Sequence, residues 1–301
     1  MKEENVDALE HRSQEYSEVT LGANTRGIIG ALDGLAVQIK RPTSSDGVND
    51  PGNYYSRKQF YALNVQAICD AYKRFLWVST GHQGSTHDSL AFSSTQLFDL
   101  LVEKEEFLET NGYYLIGDLA YNLCSWMLVP YSNVGTVYGN RADTFNYFLS
   151  SSRVRIECAF GELVMRWGIF WRPIRFRLET TSQIIKAAML LHNYLIQERM
   201  QCWSVNIDEN EFFQDFSVNT MIELADMVTD DLEFLVVDNG EPKPRGRPTY
   251  TTVASRDKGI AIRDQIAVSL RMNDLIRPTP IDRAMGRNPY GHLYYKQPYG
   301  K

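Results

Sequence analysis

The stretch from Tyr113 to Tyr121 constrains this chain more than any other. Tyr113, Tyr114, Leu115 and Ile116 are aromatic or aliphatic with no polar alternation, the composition of a short strand covered on both faces. Gly117 then lets another part of the chain approach the backbone closely, and Asp118 follows at the strand end. Strands of this kind belong to layered α/β folds, whose ligands gather at strand ends. A carboxylate in that position raises the question of which other carboxylates could meet it.

Two other acids stand in comparable settings. Residues 27–39 read as a strand interrupted by Asp33, and a charge inside an apolar strand is costly unless it is paired or bound to a metal. From Thr144 to Trp167 the pattern is helical: Ile156, Phe160, Leu163 and Trp167 form one apolar stripe. Glu157 lies off the centre of that stripe, with Arg153 and Gly161 one turn to either side. The missing side chain at Gly161 leaves space in front of Glu157.

The intervening segments supply a scaffold. Residues 43–53 carry turn chemistry. Tyr61 to Asp70 alternates, with Tyr61, Leu63, Val65 and Ala67 on one face, and Phe75 to Thr80 completes an antiparallel hairpin. A helix capped by Asp88 or Ser89 follows, with Leu90, Phe92, Leu97, Phe98 and Leu101 apolar. The glycine-containing loop before it, residues 81–85, lacks the Gly-Lys-Ser/Thr ending of a nucleotide-binding loop. Residues 130–143 read as a loop. Residues 182–199 form a last apolar helix, on which His192 is expected as a packed core residue.

Composition narrows the classes. The 301 residues, 44% hydrophobic and 23% charged, can build a sizeable core. No apolar run approaches the roughly 20 residues that span a bilayer. Four cysteines without a CxxC pair argue against a zinc site or a disulfide scaffold and fit a reducing compartment. The net charge of −6 is unevenly spread: residues 200–242 hold 11 acids and no base, and residues 243–301 hold 12 bases and 4 acids. An acidic block beside a basic tail suggests a partner read by the basic part; a solvated linker is the equal alternative. Arg245 and Arg247 sit in Lys-Pro-Arg-Gly-Arg-Pro, similar to an AT-hook that lies in a narrow minor groove. Residues 255–272 can form a helix with a basic face. Residues 153–177 hold six arginines, Arg153 and Arg155 among them, against two glutamates, with Phe160, Trp167, Phe170, Trp171 and Phe176 interleaved. That mixture suits a phosphate backbone and unstacked bases, although the helical spacing favours a core role for the aromatics.

The order strand-Asp, hairpin, helix, strand-Asp, helix-Glu is that of a ribonuclease-H-like α/β fold, a mixed sheet flanked by helices, here with a C-terminal extension. Several stretches in order carry a family resemblance: 30–34 (Gly-Ala-Leu-Asp-Gly), 54–58 (Tyr-Tyr-Ser-Arg-Lys), 84–89 (Gly-Ser-Thr-His-Asp-Ser), 117–121, 153–161 and 191–194 (Leu-His-Asn-Tyr). The chain resembles the catalytic domain of PIF/Harbinger-type DDE transposases and their domesticated nuclease relatives over about residues 26–199. The resemblance implies an acidic triad at Asp33, Asp118 and Glu157 that holds two Mg²⁺ or Mn²⁺ ions and cuts or transfers DNA strands by two-metal chemistry. It makes Asp88 a further ligand or a supporting group, Arg153 a phosphate or carboxylate partner, and Lys58 a group that positions DNA; Arg155, Arg245 and Arg247 are further candidate DNA contacts. It also implies a nuclear protein, with homo-oligomerisation an option and no membrane partner.

The implied organisation is a disordered or truncated lead-in over 1–25, a catalytic domain over 26–200, an acidic segment over 201–242 and a basic tail over 243–301. Family members carry a helical DNA-binding region before the core, and only about 25 residues stand there here, so recognition of DNA ends is expected from a separate Myb-like chain. The intact triad favours an active nuclease or transposase core. The short front end favours a domesticated, non-catalytic DNA- or partner-binding protein.

Overall fold

A computed structural model describes residues 3–19, 26–132, 138–202, 236–238, 251–273, 275 and 277. In chain order the elements are α1 (Glu3–Val19), β1 (Ile28–Gln38), β2 (Ala62–Cys69), β3 (Phe75–Gln83), α2 (Asp88–Ser93), α3 (Gln96–Glu103), α4 (Glu105–Asn111), β4 (Tyr114–Ile116), β5 (Met127–Leu128), α5 (Arg141–Arg166), α6 (Leu178–Cys202), β6 (Val236–Asp238) and α7 (Val253–Met272). The sheet order is β5-β4-β1-β2-β3-β6. Strands β1, β2 and β3 are antiparallel neighbours; β4 runs parallel to β1, β5 to β4, and the short β6 to β3. Five strands so connected, with helices on both faces, are the ribonuclease-H-like arrangement expected from the sequence.

Two hydrophobic layers sandwich the sheet. One joins Ala31, Val65, Ala67 and Ile116 to Phe148, Ile156, Leu163 and Met189 of α5 and α6. The other joins Leu32, Ile68 and Leu115 to Phe92, Phe98, Trp126 and Met127. The period-2 alternation of β2 puts Leu63, Val65 and Ala67 on the α5 side, as their spacing predicts. The stretch expected to form one helix after Asp88 is divided into α2 and α3. Thr95 ends the first by donating to the Phe92 carbonyl and caps the second by accepting from the Phe98 amide.

Both ends of the chain depart from expectation. Residues 3–19, read as a disordered lead-in, form α1. Its anchor is polar: the Tyr16 hydroxyl donates to the Cys69 carbonyl at 2.9 Å, Arg74 donates to Glu15 at 3.2 Å, and the Gly27 amide donates to the Ser13 hydroxyl at 2.7 Å. A helix held this way shows no apolar stripe to find in the sequence. In the C-terminal part, α7 forms where a helix was expected; Arg256, Lys258 and Arg271 on its basic face stay exposed, yet three of its bases engage the rest of the fold. Lys258 pairs with Glu109 at 2.6 Å. The Arg263 guanidinium lies 3.8 Å from the centre of the Tyr131 ring, and Arg271 donates to the Gly139 carbonyl. Gly259 meets the loop at Cys124 so closely that a Cβ there would sit 2.5 Å from the Cys124 carbonyl oxygen. The helix therefore belongs to the folded unit. Most of the acidic segment and the 243–250 part of the tail lie outside the described residues. No helix among the described residues is long and apolar enough to cross a membrane.

The Leu191-His192-Asn193-Tyr194 stretch fastens α6 to the start of β3. The Asn193 side chain accepts from the Phe75 amide and donates to the Phe75 carbonyl, both at 2.7 Å. His192 is fully buried, bonds the Lys73 carbonyl through Nε2 at 3.0 Å, and has an unpartnered Nδ1. A carbonyl partner requires Nε2 to carry the proton, and a second proton on the buried, unpartnered Nδ1 would be a charge with nothing to receive it, so the ring is neutral. Burial, with Arg166 and Lys73 nearby, holds its pKa at about 4 although the Lys73 carbonyl opposes this. The folded state therefore binds fewer protons than the unfolded state between that value and the usual 6.5. Stability is full above pH 6.5 and falls by about 3 kcal/mol as pH drops through this window. Replacing His192 by Gln is expected to flatten the fall in melting temperature between pH 6.5 and 4, as checked by thermal denaturation across that range.

Candidate active site

Three elements converge near one end of β4. In β1, Asp33 pairs in register with Ala67 and Gly34 with Gln66. Side chains alternate along a strand, so Asp33 faces α5 while Gly34 faces the α2 layer. From α5, Arg153 reaches both neighbouring acids, at 3.6 Å from Asp33 and 2.6 Å from Glu157. Beyond β4, Gly117 is needed because the Tyr121 ring fills the space above it; a Cβ would sit 2.8 Å from Tyr121 Cδ2. Asp118 then closes a short turn in which its Oδ1 accepts from the Ala120 amide at 2.8 Å.

The three acids act on one another electrostatically. Burial pushes the Asp33 carboxyl up to about 6; the Gly34 amide and Arg153 oppose this, and the charges of Asp118 and Glu157 add to it. Asp33 is 22% exposed and Arg153 19%, whereas Glu157 is 45% exposed and opens to solvent. Gly161 has open space in front of it. Burial also raises the Tyr121 phenol well above its ordinary value, reinforced by the charges of Asp33, Asp88 and Asp118.

Asp88 belongs to a different set of contacts. Its Oδ1 accepts from Asn64 Nδ2 at 2.8 Å and Gln66 Nε2 at 3.0 Å, and Arg57 stands 3.9 Å from its Oδ2. A Cβ at Gly34 would lie 2.6 Å from that same Oδ1. Asp88 is thus held against the Gly34 side of β1, away from the Arg153 side. Gln66 continues the network by accepting from the Tyr121 hydroxyl at 2.7 Å. Sequence reasoning passed over Asn64, Gln66 and Tyr121 as site residues. Two polar residues at alternate positions of an otherwise apolar strand were the available signal.

The other expected contacts are scattered. Lys58 is exposed in the turn between Tyr55 and Tyr61. Arg155 donates to the Val19 carbonyl at 3.0 Å and ties α5 to the end of α1, so it is not a free surface cation. Arg245 and Arg247 lie outside the described residues. On the far side of the Asp118 turn, α7 contributes Arg256, Ile260 and Arg263 to a cavity of ≈ 510 Å³ that is also lined by Leu119, Tyr121 and Val129.

The donors suit a hard divalent cation in kind: all three are carboxylates, and Mg²⁺ and Mn²⁺ take oxygen ligands. The raised Asp33 pKa comes mainly from burial, with smaller additions from the charges of Asp118 and Glu157. Among the described residues, no three His, Cys, Asp or Glu side chains are grouped closely enough to hold an ion as they stand. Arg153 supplies the positive charge between two of the three acids. The set fits a cation in donor type and charge, with Arg153 as its stand-in.

A mixed five-strand core with acids from two neighbouring strands and the helix packed across them defines the ribonuclease-H-like class. The sequence profile of the DDE superfamily endonucleases matches residues 32–193, more than half of the chain, and the chain belongs to that family. Similar proteins include one named "Putative nuclease HARBI1" from Bos taurus, 28% identical over 188 residues that cover 60% of this chain and 50% of that protein. The Homo sapiens protein of the same name is 27% identical over 188 residues, with the same coverage of 60% and 50%. "Protein ALP1-like" from Arabidopsis thaliana is 28% identical over 209 residues, covering 63% and 47%. The chain spans about half the length of the curated relatives it matches. No solved structure matches it.

The sign of the Asp33 shift yields a test. A carboxyl raised from 3.8 to about 6 binds more protons folded than unfolded in that interval, so stability declines as pH rises through it. In cation-free buffer, Asp33→Asn is expected to raise the melting temperature by a few degrees at pH 8 and to leave it unchanged below pH 4. Scanning calorimetry in EDTA at both pH values measures the difference.

Proposed function

We propose that this chain is the catalytic core of a divalent-cation-dependent DNA endonuclease derived from a transposase, with Asp33, Asp118 and Glu157 as the acids that hold the cations. The observation that carries the reading is that the charges of Asp118, from the β4 turn, and Glu157, from α5, both act on Asp33 of β1, while the guanidinium of Arg153 bridges Asp33 and Glu157. Membership of the DDE endonuclease family supports it. When bound, a pair of Mg²⁺ or Mn²⁺ ions would activate a water or 3′-hydroxyl and stabilise the leaving oxygen of a phosphodiester. The chain's own groups do the rest. Asp118 is fixed by its turn, Asp33 by the strand, and half-exposed Glu157 meets solvent beside the open space at Gly161. Arg153, once released by its carboxylates, is placed to meet a phosphate oxygen. Strand transfer, a Myb-like partner for end recognition, self-association and a nuclear location belong to the same proposal.

One observation favours the second reading, a domesticated protein that binds DNA or a partner without turnover: Arg153 is already engaged by two of the three acids. A supercoiled-plasmid nicking assay separates the two. The wild-type chain is expected to nick plasmid with Mn²⁺ and not with EDTA, and Glu157→Gln or Asp118→Ala to lower the rate at least a hundredfold, the scale of a lost electrostatic catalytic group. Equal behaviour of wild type and Glu157→Gln would end the nuclease reading.

A further inference from the structure

The segment that leaves α5 is pinned at two points and exposed between and beyond them. Gly168–Trp171 forms a single 3-10 turn, and the indole Nε1 of Trp171 donates to the Val164 carbonyl at 2.8 Å. Three residues later Ile174 is buried and joins the end of β1: its amide donates to the Gln38 carbonyl at 3.0 Å and its carbonyl accepts from the Lys40 amide at 2.9 Å. The side chains on either side of Ile174 point to solvent. Trp171 is 68% exposed and Phe176 45%, and Arg172, Arg175 and Arg177 are exposed with them. These positions were expected in the core from their spacing along one helix. That helix ends at Arg166, and the aromatics beyond it leave the apolar stripe.

The surface continues across the strand end. Exposed Arg41 lies 6.0 Å from the centre of the Tyr61 ring, which meets Tyr55 edge-on at 5.2 Å. None of Arg41, Arg172, Arg175 and Arg177 forms an ion pair among the described residues. Exposed aromatic rings and guanidinium groups are therefore gathered about the Ile39–Ile174 bridge, where Arg177 also acts on the Asp46 carboxylate. The polar edge of Trp171 is satisfied and its face is open, which suits stacking on a base more than burial in a protein partner. The surface begins six residues along β1 from Asp33, roughly 20 Å at the rise of a strand.

We propose that residues 171–177, with Arg41 and the Tyr55–Tyr61 pair, form a track for unpaired DNA leading away from the acid pocket. Successive bases stack on Trp171 and Phe176, and the arginines follow the phosphates. Charge complementarity selects a polyanion, and the open aromatic faces select one whose bases are unpaired. The choice of DNA rests on the endonuclease reading; the stacking surface does not.

The test uses the full chain in EDTA, where no cleavage is needed. Fluorescence anisotropy compares a labelled single-stranded deoxyoligonucleotide, its blunt duplex, and heparin as competitor. Wild type is expected to prefer the single strand. The double variant Trp171→Ala/Phe176→Ala should lose about tenfold or more of that affinity while keeping its affinity for duplex and its salt dependence. Trp171→Phe should recover part of the loss. The triple variant Arg172→Gln/Arg175→Gln/Arg177→Gln should weaken all three ligands and lower the single-strand salt slope by about 2. Phe176→Ala alone, which breaks no hydrogen bond, guards against misfolding at Trp171, with melting temperatures as the control. Undiminished single-strand binding by the folded double variant overturns the track, even if wild type nicks plasmid with Mn²⁺. A wild type that fails to nick but binds single strands through these aromatics upholds the track and removes the nuclease reading alone.

Discussion

Alternation along β1 sends Asp33 and Gly34 to opposite faces of the sheet, and the rest of the acid pocket depends on that register. On one side Asp33 meets Arg153 of α5. On the other, the bare Gly34 admits Asp88 and the amides of Asn64 and Gln66. A slip of one residue would turn Asp33 into the Asp88 network and leave Arg153 without its strand partner. Pairing with β2 along eight residues and with β4 on the other edge, plus apolar layers on both faces, makes that slip unfavourable.

Two electrostatic effects compete at Asp33, and burial is the larger. Arg153 stabilises the ionised carboxylate, yet removal from water and the charges of Asp118 and Glu157 outweigh it and hold the pKa near 6. Glu157, nearly half exposed, is the acid through which solvent reaches the pocket. The acids are thus held unequally: strand-held and mostly buried at Asp33, turn-held at Asp118, open at Glu157.

Legibility in the sequence followed the kind of interaction involved. The strands β1 to β4, the long helix α5 and the placement of Asp33, Asp118 and Glu157 rested on apolar periodicity and strand-end acids, and these signals are local. The helix α1 rests on Tyr16, Glu15 and Ser13 reaching residues far along the chain, so no window of its own sequence announces it. The helix α7 was legible as a helix, but its docking, in which Gly259, Lys258 and Arg263 fit the loop and helix beneath them, was not. Arg155 read as a surface cation until its partner, the Val19 carbonyl, was in view. Trp171 and Phe176 read as core because helical spacing was applied to aromatics that lie beyond the helix end at Arg166.

By itself, then, the sequence determined a layered α/β chain with a short doubly buried strand ending in Asp118, a second strand carrying Asp33, and a helix presenting Arg153 and Glu157 one turn apart. Those features depend on composition and spacing within single elements. Only the tertiary structure decided that Arg153 reaches across to Asp33, that Asp88 stands on the other face, and that α1 and α7 pack onto the sheet and its helices. Each of these is a meeting of groups from different elements, set by strand register and helix crossing, which no local pattern encodes.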